Sequence, residues 1–224
     1  MNTTTDLAHQ ETSSGEDHTF LKWIAHLFSF LFHPLFIPFY LVYFLMYVHP
    51  YAFVGFTPHE KNQTFFILIL NLLFFPLLSV LLLKSVGFID SMLLKTQKDR
   101  IIPYIACGIF FFWTYTVFKQ QPRYPLVLTA YLLGIFLTSS AALLANIYTK
   151  ISMHALGLGS AIGIFGYLML THSMLMSWPL ALLLLITGVT CSFRLYLKAH
   201  RPIDIYIGLF IGIFCQLVAV NVIF

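Results

Sequence analysis

The chain has 224 residues, of which 59% are hydrophobic, 17% aromatic and only 9% charged. Soluble domains carry about 25% charged residues, so there is too little polar surface here to cover a water-soluble globule of this size. The same composition excludes a disordered chain, a coiled coil, a disulfide scaffold and a nucleic-acid-binding module. The net charge of +4, from 12 Lys+Arg against 8 Asp+Glu, is mild and scattered between apolar runs. The expected fold is therefore all-α: a polytopic transmembrane helical bundle.

Residues 1–20 are rich in Thr, Ser, Asp and Glu. They lack the basic start, short apolar stretch and small-residue cleavage site of a secretory signal, and are expected to form a disordered tail. Residues 21–224 are expected to form a single transmembrane domain. A bilayer span needs about 20 apolar residues. Seven segments meet or approach that length, near 23–48, 64–86, 101–118, 125–148, 154–173, 177–196 and 203–224, which gives six to seven spans. The first contains His33, Pro34 and Pro38, so a kink is expected there. Cys107, Cys191 and Cys215 fall inside apolar runs without a CxxC pair and are read as small buried hydrophobes.

Alternating the spans sorts the connections onto two faces. The first face carries Lys22, Lys84, Lys95, Lys98, Arg100, Lys150, Arg194, Lys198 and Arg201, while the second carries only Lys61, Lys119 and Arg123. By the positive-inside rule this bias puts the first face in the cytoplasm, and a bacterial inner membrane is the expected location.

Three polar clusters lie on that first face. The last runs Ser192-Phe193-Arg194-Leu195-Tyr196-Leu197-Lys198-Ala199-His200-Arg201-Pro202-Ile203-Asp204. Pro202 suits the first turn of the final helix, and the helix dipole favours Asp204 there. A His oriented by an Asp is a better base or nucleophile, and an Arg fork matches phosphate oxygens. The structural alternative is a snorkelling Arg beside a capped helix. The second cluster is Lys150-Ile151-Ser152-Met153-His154, with Ser152 a plausible N-cap and His154 in a first turn whose free N–H groups attract anions. The third is Lys95-Thr96-Gln97-Lys98-Asp99-Arg100, followed by Pro103. Taken alone it is a charged loop before a Pro-started helix. Together the three bring two His, an Asp, a Ser and several cations to one face. Such a set suits phosphoryl transfer, in which cations neutralise the equatorial oxygens and histidines act on phosphorus and on the leaving oxygen.

The ordered set resembles the type 2 phosphatidic acid phosphatase superfamily, whose core is shared with vanadium haloperoxidases. That family's third motif is Ser-Arg, five residues, His, three residues, Asp, and Arg194, His200 and Asp204 match its spacing. Ser152 and His154 match two positions of its second motif, Pro-Ser-Gly-His. Lys95, Arg100 and Pro103 match its first motif loosely. The departures are the short Lys95–Arg100 spacing, Ile151 and Met153 in place of Pro and Gly, and Phe193 between Ser192 and Arg194. The resemblance covers about residues 90–210.

It implies a metal-independent phosphatase core without a cofactor, acting on a lipid phosphate or diphosphate monoester. His200 would be the nucleophile and form a phosphohistidine. Asp204 would orient it, and His154 would protonate the leaving group. Arg194, Arg100, Ser152, and Lys95 or Lys150 (or Lys98) would hold the phosphoryl oxygens. The partners implied are the lipid phosphate and the bilayer, with no nucleic acid. Other readings are a phosphotransferase on the same fold, a transporter, a haem carrier using His154 and His200, and an inactive homologue. A transporter wants charges buried mid-span, whereas these sit at helix ends. Haem ligation would leave Arg194 and Asp204 unexplained. His9, His18, His26, His33, His49, His59 and His172 lack a partner at motif spacing and are read as tail, interfacial or structural.

Overall fold

The computed structural model describes residues 19–89, 94, 96–172 and 176–224. Most of the expected disordered tail, residues 1–18, and Lys95 therefore lie outside the described residues. Among the described residues every regular element is helical. The described residues form eight helices: α1 Thr19–Leu31, α2 Ile37–Val48, α3 Pro58–Ser85, α4 Gln97–Lys119, α5 Leu126–Tyr148, α6 Met153–His172, α7 Ser177–Tyr196 and α8 Pro202–Ile223. The six from α3 to α8 are long and apolar enough to cross a bilayer, so the chain is a multi-pass membrane protein.

The first expected span, 23–48, is not one helix. Pro34 has no N–H to donate, and it disfavours helical geometry at His33 before it. The chain breaks over residues 32–36 into α1 and α2. At 12 residues, α2 is about 18 Å long, short of a hydrocarbon core about 30 Å thick. The bend is tied by Tyr40 Oη, which donates to Leu31 O at 2.9 Å. From there α2 runs alongside α6: His33 meets His154, Ile37 packs at Gly157, and Phe44 meets Phe165.

The expected third span, 101–118, begins earlier than its apolar run. Thr96 and Asp99 form a capping box, with Asp99 N donating to Thr96 Oγ1 at 3.1 Å, which satisfies the first free N–H groups of α4. Pro103 thus lies inside the helix rather than at its start. In α3 a π-helical stretch, Leu70–Phe74, stands just before Pro76, where the proline cannot continue the ordinary ladder.

The centre of the bundle is the packing of α6 on α8, with α5 closing over α8. A Cβ at Gly159 would fall on Leu209 O, and one at Gly212 would fall on Leu156 O. Small residues thus let two backbones touch, which is how helices gain contact in lipid. Gln216 is fully buried beside them. It accepts from Ser160 Oγ at 3.2 Å and donates to Ala130 O at 3.2 Å, pinning α8 to both neighbours. The sequence alternation places the starts of α4, α6 and α8 and the end of α7 at one end of this bundle. The polar clusters meet there.

Candidate active site

The three clusters are joined by main-chain bonds. Arg100 leaves the first turn of α4 and donates through Nε to Leu94 O and through Nη1 to Ile151 O, both at 3.0 Å. Gln97 and Asn146 exchange side-chain-to-carbonyl bonds of 2.8 Å each, fixing the start of α4 on the end of α5. Ser152 N donates to Asp204 O at 3.1 Å, which sets the start of α6 against the start of α8. Ser152 itself is the N-cap of α6: it is fully buried and its Oγ accepts from Ala155 N at 3.4 Å.

His200 sits in the turn between α7 and α8, with Nδ1 3.2 Å from Lys150 O. A carbonyl can only accept, so Nδ1 carries the proton and Nε2 keeps its lone pair. Burial, followed by the charges of Arg194 and Arg100, lowers the His200 pKa to about 4. His200 is therefore neutral at pH 7.

Asp204 makes no hydrogen bond to His200, although the two line the same depression. It takes Arg201 in a fork, with Nε–Oδ2 3.2 Å and Nη2–Oδ1 3.1 Å, and also accepts from Arg201 N at 3.1 Å. The pairing raises the Arg201 pKa. In this geometry the hydrogen bond on His200 Nδ1 goes to the Lys150 carbonyl, while Arg201 at i−3 takes the Asp204 carboxylate through its guanidinium and its own N–H.

His154 is buried at the start of α6. Its Nε2 lies 2.9 Å from Ser29 O, so Nε2 carries the proton and Nδ1 is left with the lone pair. Ser29, at the end of α1, also receives Arg194 Nη1 on its hydroxyl at 3.4 Å. The His33 ring packs edge-on against His154, centroid to centroid 5.6 Å, and His33 Nδ1 accepts from Leu35 N at 3.3 Å. Ser29 and His33 were not read as site residues in the sequence. The His33-Pro34 pair reads from sequence as a kink, and a lone Ser in a Phe-rich run carries no signal of its own.

Three cations converge here: Arg100 from α4, Arg194 from α7 and Lys150 from the turn before α6. Burial and then the charges of Arg100 and Arg194 lower the Lys150 pKa, against a weaker pull from Asp204. Among the described residues the two ion pairs are Arg123–Glu60 and Arg201–Asp204, so none of the three converging cations has a carboxylate partner. Arg194 Nε is buried without any hydrogen-bond partner. The opposite end of the bundle differs: Arg123 there is paired with Glu60 and lies over the Phe56 ring at 4.9 Å. Of the other expected phosphate ligands, Lys95 lies outside the described residues, and Lys98 is exposed on the first turn of α4.

Two hollows flank the cluster. An open depression of about 790 Å³ is lined by Lys150, His200, Arg201 and Asp204. A narrower cavity of about 190 Å³ runs inward past His33 and Arg100 between apolar walls. No group of three or more metal-ligating side chains is found among the described residues. No protein-family model, no curated protein and no solved structure matches the chain.

Proposed function

We propose that the protein is an integral-membrane phosphatase that hydrolyses a lipid phosphate or diphosphate monoester through a phosphohistidine. The observation that carries this reading is the convergence of Arg100, Lys150 and Arg194, with no carboxylate partner among the described residues, on two histidines at one end of the bundle. Like charges are brought together at a cost unless an anion completes the set, and a phosphoryl group offers the oxygens that suit two guanidinium forks. The resemblance of Arg194, His200 and Asp204 to the third motif of the type 2 phosphatidic acid phosphatases points the same way.

In the first step the His200 Nε2 lone pair attacks phosphorus, forming the P–N bond as the P–O bond to the lipid alcohol breaks. His154, as imidazolium, gives its Nδ1 proton to the departing oxygen. The dianionic phosphate brings the negative charge that favours that imidazolium. In the second step His154, now neutral, takes a proton from water as the water oxygen attacks phosphorus. The P–N bond breaks and phosphate leaves. Throughout, the Lys150 carbonyl holds Nδ1–H of His200, so Nε2 stays aimed. The open depression beside His200 also leaves room for an acceptor larger than water, which is the opening for transfer to an alcohol.

The test is phosphate release by purified protein in detergent with EDTA, against a panel of lipid phosphates and diphosphates, with His200→Ala alongside and with glycerol added to detect transfer. Release that survives EDTA and is lost in the variant is expected, together with an acid-labile, alkali-stable phosphoenzyme. No release from any panel member, or release indifferent to His200→Ala, overturns the assignment.

A further inference from the structure

Helix α3 is the most apolar of the six spans, and one of its faces is turned outward. The inner face is Thr64, Leu68, Leu72 and Pro76, buried at every fourth position. The outer face carries Phe66, Ile67, Phe74, Leu77, Leu78 and Leu81, all exposed. Asn71 belongs to that outer face: it is partly exposed and stands four residues after Ile67 and three before Phe74. It is also midway along Pro58–Ser85, about 20 Å from either end, which puts it at the centre of the hydrocarbon. One amide N–H donates to Ile67 O at 2.8 Å. The other N–H and Oδ1 have no partner among the described residues. The main chain is open at the same residue. Phe75 N donates to Leu70 O across the π-helical stretch, and Pro76 has no N–H to give. Of the two N–H groups that ordinarily reach the Asn71 carbonyl, one is spent elsewhere and one is missing.

We propose that this face of α3 binds a second copy of the chain about a two-fold axis along the bilayer normal, with the two Asn71 side chains exchanging N–H···O bonds. Lipid tails offer neither donor nor acceptor, and a polar group left bare in hydrocarbon is costly. What covers Asn71 must therefore present an amide-like group at the same depth. An axis along the normal keeps both copies in one orientation, so the Asn71 of each arrives at that depth by symmetry. A carboxamide is donor and acceptor at once, which makes it complementary to its own copy without a second residue type. Polar pairs of this kind hold transmembrane helices together, and Phe66, Phe74 and Leu78 pack around the pair. The dimer is independent of the proposed phosphatase, because Asn71 lies at mid-membrane and the cation cluster lies at one end of the bundle.

The test is the oligomeric state of the full chain in lipid vesicles, read by single-molecule photobleaching over a range of dilutions in lipid. Wild type is expected to dimerise as its density rises. Asn71→Leu should weaken association about tenfold, and Asn71→Gln, which keeps the carboxamide, should retain it. A second measurement leaves Asn71 in place and serves if Asn71→Leu does not fold. Phe74→Cys, and Trp178→Cys on the exposed side of α7 as a control, are oxidised in vesicles beside wild type, whose Cys107, Cys191 and Cys215 set the background. A cross-linked dimer above that background is expected from Phe74→Cys and not from Trp178→Cys. Wild type that stays monomeric at every density overturns the proposal. So does a dimer indifferent to Asn71→Leu, or one that cross-links through Trp178→Cys rather than Phe74→Cys. Phosphate release is scored separately and bears on neither outcome.

Discussion

Replacing Arg194 by Gln should move stability and activity in opposite directions. The guanidinium makes one bond, 3.4 Å to Ser29 Oγ, and its buried Nε has no partner among the described residues. The donor is charged, but at 3.4 Å the bond is long and contributes about 1 kcal/mol. Against it stands a half-buried cation with no carboxylate partner, in company with Arg100 and Lys150, and burying an uncompensated charge costs several kcal/mol. The variant should therefore be more stable by about 1 kcal/mol, a rise in Tm of about 2–4 °C for a chain of this size. On the proposed function the same change removes a phosphoryl-oxygen donor, and losing one such donor typically lowers turnover by about 10²–10³-fold. Thermal unfolding in detergent and phosphate release, run on the same preparations, check both. A Tm that falls by several degrees would refute the reasoning, because it would mean the cation is compensated in the resting protein and the cluster is not held open for an anion.

The acid limb of kcat/KM should lie well below the ordinary histidine range. In the proposed mechanism His200 attacks when neutral, and its pKa is lowered to about 4, so activity should persist as pH falls through 6.5 and be lost only near 4. A limb at 6.5 would place His200 outside the cation cluster. For stability the sign follows from proton binding: between about 4 and 6.5 the unfolded chain binds the extra proton, so His200 destabilises the fold progressively as pH falls through that window. Ser152→Ala should remove an N-cap, lowering stability by about 1 kcal/mol, and reduce phosphate release less than tenfold; a loss of a hundredfold with unchanged Tm would make the hydroxyl a direct phosphate ligand instead. Gly159→Leu should drive a side chain into Leu209 O across the α6–α8 contact, at an overpacking cost of about 1–3 kcal/mol or more. Size-exclusion profile and Tm report it, and a well-folded variant of unchanged Tm would show that the two backbones do not touch.

Most of the bundle could be read from hydropathy alone. The spans expected at 125–148, 177–196 and 203–224 agree with α5, α7 and α8 to within a residue or two. The misjudged boundaries have local causes. A hydropathy window starts at the first apolar residue, Ile101, whereas α4 starts at the Thr96–Asp99 box. A window also averages across Pro34, which splits 23–48 in two. The meeting of Arg100, Lys150, Arg194, His154 and His200 was legible because three clusters shared one face. What holds them was not. Both histidines are oriented by main-chain carbonyls, Ser29 O and Lys150 O, and every residue carries a carbonyl, so no residue type announces it. Asp204 reads as a partner for His200 by spacing, yet it is captured by its nearer neighbour Arg201.

The bend before α2 has a consequence for how the site is assembled. Ser29 offers its carbonyl to one histidine and its hydroxyl to one arginine, and both belong to helices more than a hundred residues later in the chain. During synthesis this keystone emerges first and has nothing to grip until α6 and α7 arrive. The pocket can then close only after nearly the whole chain has been inserted. A protein started at residue 37 would keep every motif that suggests chemistry, but with one wall of the vault missing.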